Sequence, residues 1–361
     1  MVDIRDGANY APHCSERPVV EPGAFCFAVA HLDHGHIYGQ TNGLRDAGAM
    51  LKAVYDPDPA KVERFTAIYP EAEVVGSVEQ ILADPQIELV CAAAIPSERA
   101  AFGIRVLEAG KDYFTDKSPC TTLKQLDLVK AAVERTGRKY AVYYAERLHN
   151  DAAWRAGELI AEGAVGRVLQ VLNIAPHRLS VAARPEWFFD KSRYGGILTD
   201  IGSHQVEQFL TYAGCQDASI NFARVANFSH PQSPGLEDFG EISLTGDNGA
   251  SFYSRVDWYT PDGLRAWGDG RTFILGTEGS IELRKYLDVA REAPASKLFL
   301  VNAQGEQEID CLGQTGFPFF GRFILDCMHR TEEAMTQAHA FKAAELSMAA
   351  QAMAEYGEEI E

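Results

Sequence analysis

FCFAVAHLDHGHIYGQTNGLRDAGAMLKAVYD, residues 25–56, decides the fold. FCFAVA is a short apolar run suited to a strand buried on both faces of a parallel sheet. The loop HLDHGHIYG leads into a helix running to Ala47, and LKAVYD (51–56) is the next strand, ending in an acid. Strand, glycine-containing turn, helix and second strand make a βαβ unit of the dinucleotide-binding kind. Asp56 lies about 20 residues beyond the loop, where such an acid hydrogen-bonds a ribose hydroxyl. No arginine follows it in DPDPAK to receive a 2′-phosphate, so NAD is expected over NADP.

The loop departs from the glycine fingerprint. Where G-x-G-x-x-G is expected, the chain offers His31, Asp33, His34, Gly35 and His36, with Gly39 later. Such side chains crowd a pyrophosphate unless the backbone bends differently, although the amides of a helix N-terminus still attract it. His31, Asp33, His34, Gly35, His36 and Asp56, with Ile95, Pro96, Arg99 and Lys117 further along the chain, are the expected cofactor contacts. A metal-dependent hydrolase built on His31, His34 and His36 is a further reading, but no carboxylate or cysteine cluster accompanies them in the sequence, and no metal is expected.

The alternation continues with SVEQILAD (helix), ELVCAAA (strand), SERAAFGIRVLEAG (helix), DYFT (strand), LKQLDLVKAAVERTG (helix) and KYAVYY (strand). This predicts a Rossmann-type doubly wound sheet over residues 24–146. Ligands of such folds sit at the carboxyl edge, where Ile95, Pro96 and Arg99 follow one strand and Asp116, Lys117 and Ser118 follow the next. Residues 1–23 form a Pro-rich, polar extension that either wanders or lies along the molecule.

From residue 147 to 361 the pattern shifts to strands near 168–175, 218–226, 238–245, 250–258, 271–276, 279–284 and 297–301. An α+β domain with a large, mostly antiparallel sheet covered on one face by helices is expected. Phe252, Tyr253, Trp258 and Tyr259 serve either its core or contacts with a second copy. Within this half, YGGILTDIGSHQVEQF (194–209) carries a double-glycine turn and then apolar residues in helical spacing. Asp200 and His204, four apart, then share a helix face, and a carboxylate near an imidazole orients it for proton transfer. Arg147, His177, Arg178, Arg184, Trp187 and Lys191 are candidates to line a substrate pocket, and Glu207 is a secondary one. Arg178 and Arg184 either read an acidic group or form surface ion pairs.

A net charge of −18 argues against nucleic acid and anionic membranes as partners. Seven scattered cysteines without C-x-x-C or zinc spacing fit a reduced, cytoplasmic protein. No apolar run approaches a membrane span of about 20 residues, and the N-terminus has no secretory pattern.

Three separated pieces, GKDYFTDKSP, GGILTDIGSH and FILGTEGSIEL, resemble the Gfo/Idh/MocA oxidoreductases, the group of glucose-fructose oxidoreductase and inositol dehydrogenase. The likeness runs from about Phe25 to the C-terminus. It implies that Lys117 corresponds to the lysine of a Glu-Lys-Pro motif, and Asp200 and His204 to a D-x-x-x-H pair. The implied reaction is NAD-dependent oxidation of a secondary alcohol on a sugar or polyol, with His204 as acid/base, in a dimer or tetramer formed through the C-terminal sheet. The motif here reads Asp116-Lys117-Ser118 with proline displaced to Pro119, and Arg99 stands where relatives often carry histidine. Two other readings stay open: an NAD-dependent glycoside hydrolase or lyase with no net oxidation, and a non-catalytic nucleotide or sugar sensor.

Overall fold

Cys26–Ala30 (β1) is buried at every position, so it requires strands on both sides and helices on both faces. The computed structural model, which describes residues 4–14 and 17–356, supplies them. Strands β2 (Met50–Tyr55), β3 (Glu73–Val74), β4 (Leu89–Ala92), β5 (Asp112–Asp116) and β6 (Tyr140–Tyr143) complete a parallel sheet of order β3-β2-β1-β4-β5-β6. The order reverses at β1/β4, which opens a crevice beyond the carboxyl ends of those strands. One helix of this half was not anticipated, Pro59–Ile68. Its signals are local: Asp58 caps it by accepting the Ala60 N–H at 2.9 Å, and Pro59 begins it.

The second sheet contains β7 (Val168–Pro176), β8 (Ala218–Ala226), β9 (Phe239–Gly246), β10 (Ser251–Asp257), β11 (Arg271–Gly276), β12 (Gly279–Arg284), β13 (Lys297–Asn302) and β14 (Gly305–Asp310). Its order is β14-β13-β12-β11-β7-β10-β9-β8, antiparallel throughout except β7 with β10. Strand β14 escaped the sequence reading because GEQEID has no apolar alternation; it lies at the edge and is mostly exposed. Ile242, Leu244, Phe252 and Val256 point into a core covered by helices Asp151–Ala161, Ser203–Ala213 and Gln337–Tyr356, with Phe252 stacked on Phe209 at 4.8 Å. Phe222, Phe273, Leu275 and Val301 stand exposed on this domain's strands. Of the aromatics singled out in the sequence, Phe252 is therefore core, Trp258 is buried and Tyr259 is exposed.

Helix Gln337–Tyr356 spans both halves. Gln337 Oε1 accepts the Tyr140 N–H at 2.8 Å on β6, while Gln351 Oε1 accepts the Leu198 N–H at 2.9 Å beside the second sheet. Small alanines buried along its length allow this close approach on several sides.

The described residues of the N-terminal extension, 4–14 and 17–23, lie along the molecule. The Ile4 carbonyl accepts the Trp267 N–H at 2.7 Å, and the Tyr10 ring packs against Trp267 and Tyr286. The chain then crosses to the helix after β1, His36–Asp46, where Asp46 accepts the Cys14 N–H at 3.1 Å and the Ala47 carbonyl accepts the Val19 N–H at 2.9 Å. Among the described residues no helix is long and apolar enough to cross a membrane.

Candidate active site

The carboxyl ends of the parallel strands face one end of the second sheet across a cleft. Lys117, directly after β5, enters from one side; Asp200 and His204 enter from the other. Lys117 and His204 are buried and Asp200 is partly buried, and Lys117 Nζ is ion-paired with Asp200 Oδ1. Burial works to raise the Asp200 carboxyl, but the adjacent ammonium overrides it and holds the group below its usual range.

The expectation that Asp200 orients His204 needs correction. Leu198–Gly202 is a π-helical turn, and the α-helix starts only at Ser203. Spacing alone does not pair two side chains, because a buried carboxylate goes to whichever cation the fold brings beside it. Asp200 turns to Lys117 instead, and His204 Nδ1 is buried with no hydrogen-bond partner. Burial pushes the His204 imidazole down to about 3, against the pull of the Glu146 carboxylate, so the ring is neutral near pH 7.

Glu146 and Lys285 complete this wall, and the sequence reading had assigned neither to the site. Glu146 accepts from Gln205 Nε2 at 3.0 Å and Lys285 Nζ at 3.2 Å, with His177 Nε2 at 3.5 Å. Burial opposes its ionisation, but Lys285 and the nearby imidazoles bring the carboxyl to about 2. Only the placement of a Glu-Arg pair in an otherwise apolar stretch hinted at this role; Lys285 carried no signal.

On the opposite wall His34, His36, Pro96, Arg99 and Asp116 line the cleft. Arg99 is largely engaged: Nε donates to the Ala94 carbonyl at 2.7 Å, Nη1 to the Lys117 and Ser118 carbonyls, and Nη2 to Asp116 at 3.0 Å. It holds the loops after β4 and β5 together, so it positions Lys117 and keeps a single N–H, on Nη2, outside these bonds.

Other expected contacts lie elsewhere. Arg147 does not reach the cleft, because its guanidinium forks onto buried Glu207, which also meets His339. Neither lines the cleft. Lys191 pairs with Glu237 and Glu355. Arg178 lines the cleft but donates to Asp262 and to the carbonyls of Pro261, Leu264 and Ala266, and so braces that loop. Arg184 packs over Phe188 and Trp258, with its donors on the Leu179 and Arg178 carbonyls. His177 and Trp187 do line the cleft.

A family model described as "Oxidoreductase family, NAD-binding Rossmann fold" matches residues 34–144, and "GFO/IDH/MocA C-terminal domain" matches residues 154–282. The chain belongs to the Gfo/Idh/MocA family. Among curated family relatives, scyllo-inositol 2-dehydrogenase (NADP+) of Bacillus subtilis is 27% identical over 159 residues, 44% of each chain. D-xylose dehydrogenase of Paenarthrobacter nicotinovorans is 24% identical over 184 residues, 47% of each. The chain thus spans under half the length of these curated relatives. A solved structure from Erwinia carotovora atroseptica, assigned to the oxidoreductases, is 49% identical with a TM-score of 0.88, covering 91% of this chain and 98% of that one. Levoglucosan dehydrogenase solved with NADH and levoglucosan shares the fold at 18% identity and a TM-score of 0.76, covering 91% and 96%.

The family implies a nicotinamide dinucleotide, and the residues at its usual place do not fit one as folded. A Cβ on Gly35 would fall 2.3 Å from the Ala8 carbonyl oxygen and 2.1 Å from Asn9 Oδ1, so the N-terminal extension fills the space beside the helix start. The His34 N–H is engaged by the Ala93 carbonyl at 3.0 Å. Asp56 is buried, accepting the Leu32 and Asp58 N–H groups at 2.6 and 2.8 Å. His31, Asp33, Gly35, Asp56 and Ile95 lie outside the cleft lining, whose free space is about 50 Å³. Nor is Asp56 without a cation: Lys61 Nζ lies 3.8 Å from it and 2.6 Å from Asp33. The preference for NAD over NADP loses its support there.

Proposed function

We propose that the protein is an oxidoreductase acting on a secondary alcohol of a sugar or polyol, with proton handling by His204 and Lys117. The observation that carries this reading is the convergence of Lys117, Asp200 and His204 from two separate stretches of sequence on one cleft. Relatives named for inositol, xylose and levoglucosan support a polyhydroxylated substrate.

His204 offers a neutral imidazole with an unpartnered nitrogen, the form required to accept a hydroxyl proton. The resulting imidazolium lies in the field of Glu146, whose carboxylate favours it. The Lys117 ammonium, aimed by Asp200 and by the Arg99 brace on its own carbonyl, stabilises negative charge on the substrate oxygen. Trp187 and Trp258 supply apolar faces for the ring carbons of a sugar. The nicotinamide dinucleotide that the family description implies requires residues 6–10 to give way before it enters.

The test is titration of NAD and NADP into the full chain, followed by a screen of sugars and polyols for reduced nucleotide. His204→Ala and Lys117→Ala are each expected to lower kcat by about 10²-fold or more while leaving nucleotide affinity within a few-fold. Full turnover in His204→Ala removes it from the reaction. Product formation without accumulation of reduced nucleotide replaces the reading with glycoside cleavage, and ligand binding without any turnover replaces it with a sensor.

A further inference from the structure

We propose that His34, His36 and Asp116 bind a divalent transition-metal ion, of the zinc or iron(II) class, within the same cleft. The two imidazoles flank Gly35 where the helix after β1 starts, and Asp116 ends β5. Strands β1 and β5 both border β4, so the fold brings together groups 80 residues apart in sequence.

His36 Nδ1 lies 2.8 Å from Asp116 Oδ1 and His34 Nδ1 lies 3.1 Å from Oδ2, and one ligand atom from each residue lies within 4.8 Å of the other two. An ion with bonds of about 2.0–2.1 Å in a tetrahedral site sets its ligand atoms about 3.3 Å apart. The two nitrogen-to-carboxylate distances already lie near that value, and the imidazoles have to adjust around the ion to complete it.

The proton count also points to a cation. His34 Nδ1 receives the His36 backbone N–H at 3.3 Å, which requires a lone pair on that nitrogen. The same nitrogen faces a carboxylate oxygen, which requires a proton on it. One nitrogen cannot satisfy both, whereas an ion where nitrogen and carboxylate lone pairs converge needs no proton there. The carboxylate is braced as ligating carboxylates are, by Arg99 Nη2 at 3.0 Å and the Lys117 N–H at 2.8 Å. A second, independent observation is the buried His204 Nδ1, which has no partner and whose ring centre is 6.4 Å from that of His36.

Two imidazoles and one carboxylate suit zinc or iron(II) better than magnesium or calcium, which prefer all-oxygen sets. Three protein ligands leave a position facing the cleft, where an ion acts as a Lewis acid on a substrate oxygen. This inference is independent of the hydride chemistry proposed above.

The experiment measures metal content of the purified full chain, then titrates Zn²⁺, Fe²⁺ (anaerobically) and Mg²⁺ separately into chelator-treated protein by calorimetry. One Zn²⁺ or Fe²⁺ per chain at micromolar affinity or tighter is expected, with Mg²⁺ at least about 100-fold weaker. His34→Gln/His36→Gln, checked for native circular dichroism, is expected to weaken binding by about 100-fold or more, and His329→Gln, exposed at the C-terminal end of helix Pro318–His329, to leave it unchanged. Because Asp116 also holds Arg99, Asp116→Asn is a secondary variant. Absence of stoichiometric binding, or equal affinity in the folded double variant, overturns the site. Turnover with sugars by a chain that binds none of these ions leaves the proposed function standing and removes only this inference.

Discussion

Lys117, at the end of β5, is ion-paired with Asp200, in the π-helical turn that precedes His204, and this contact joins the two sheets across the cleft. Their side chains are only 7% and 14% exposed, so removing one partner leaves the other buried and uncompensated. Asp200→Asn is expected to cost about 3 kcal/mol in urea unfolding. Lys117→Met/Asp200→Leu is expected to recover most of that stability while remaining inactive. A loss below about 1 kcal/mol in the single variant would show that the pair behaves as a solvated one.

His149 and His204 are each pushed down to about 3 by burial, so the folded protein keeps both neutral. The unfolded chain protonates them near pH 6.5. Their contribution to stability is therefore complete above about pH 6.5 and is lost as pH falls toward 3, by up to about 1.4 kcal/mol per group per pH unit. Urea midpoints from pH 7.5 to pH 5 check this: His149→Gln should flatten the acid limb, and an unchanged slope would refute it. His149 is the better probe because its Nδ1 contact is a single one, with the Tyr143 hydroxyl at 2.5 Å.

Gly35 has φ −67, open to any residue, so Gly35→Ala tests contact alone. The added methyl group meets Ala8 and Asn9. A loss of about 1–3 kcal/mol is expected. In a chain lacking residues 1–14 the same substitution should be nearly neutral, and that truncated chain should bind NAD or NADP more tightly than the full one. Equal nucleotide affinity with and without the segment would contradict its placement over the helix start.

Arg147 and Glu207 form a buried two-pronged pair outside the cleft. Arg147→Met is expected to lower stability by about 3 kcal/mol while leaving the KM of any substrate found within about twofold. A large KM change at full stability would return Arg147 to the substrate site.

Residues 25–56 were legible because buried parallel strands and an intervening helix leave their signature in adjacent residues. The same holds for Lys117, which follows a strand, and for the stretch containing Asp200 and His204, where motif resemblance and spacing agree. What the spacing did not show is the partner: a π turn has no pattern of its own in LTDIG, and Lys117, 83 residues away in sequence, takes Asp200. Likewise the sequence left Arg178 and Arg184 either to read an acidic group or to form surface ion pairs, whereas nearby loop carbonyls engage them.

By itself, then, the sequence determined the two sheets, most of the elements and the residue types brought to the cleft, since periodicity and turn chemistry are local properties. Tertiary structure alone decided the pairings: Lys117 with Asp200, Glu146 with Lys285, Asp116 with His34 and His36, and residues 6–10 with the helix after β1. Those contacts join groups far apart along the chain, and which carboxylate neutralises which cation is set by how the two sheets and the N-terminal segment dock in a buried, low-dielectric cleft.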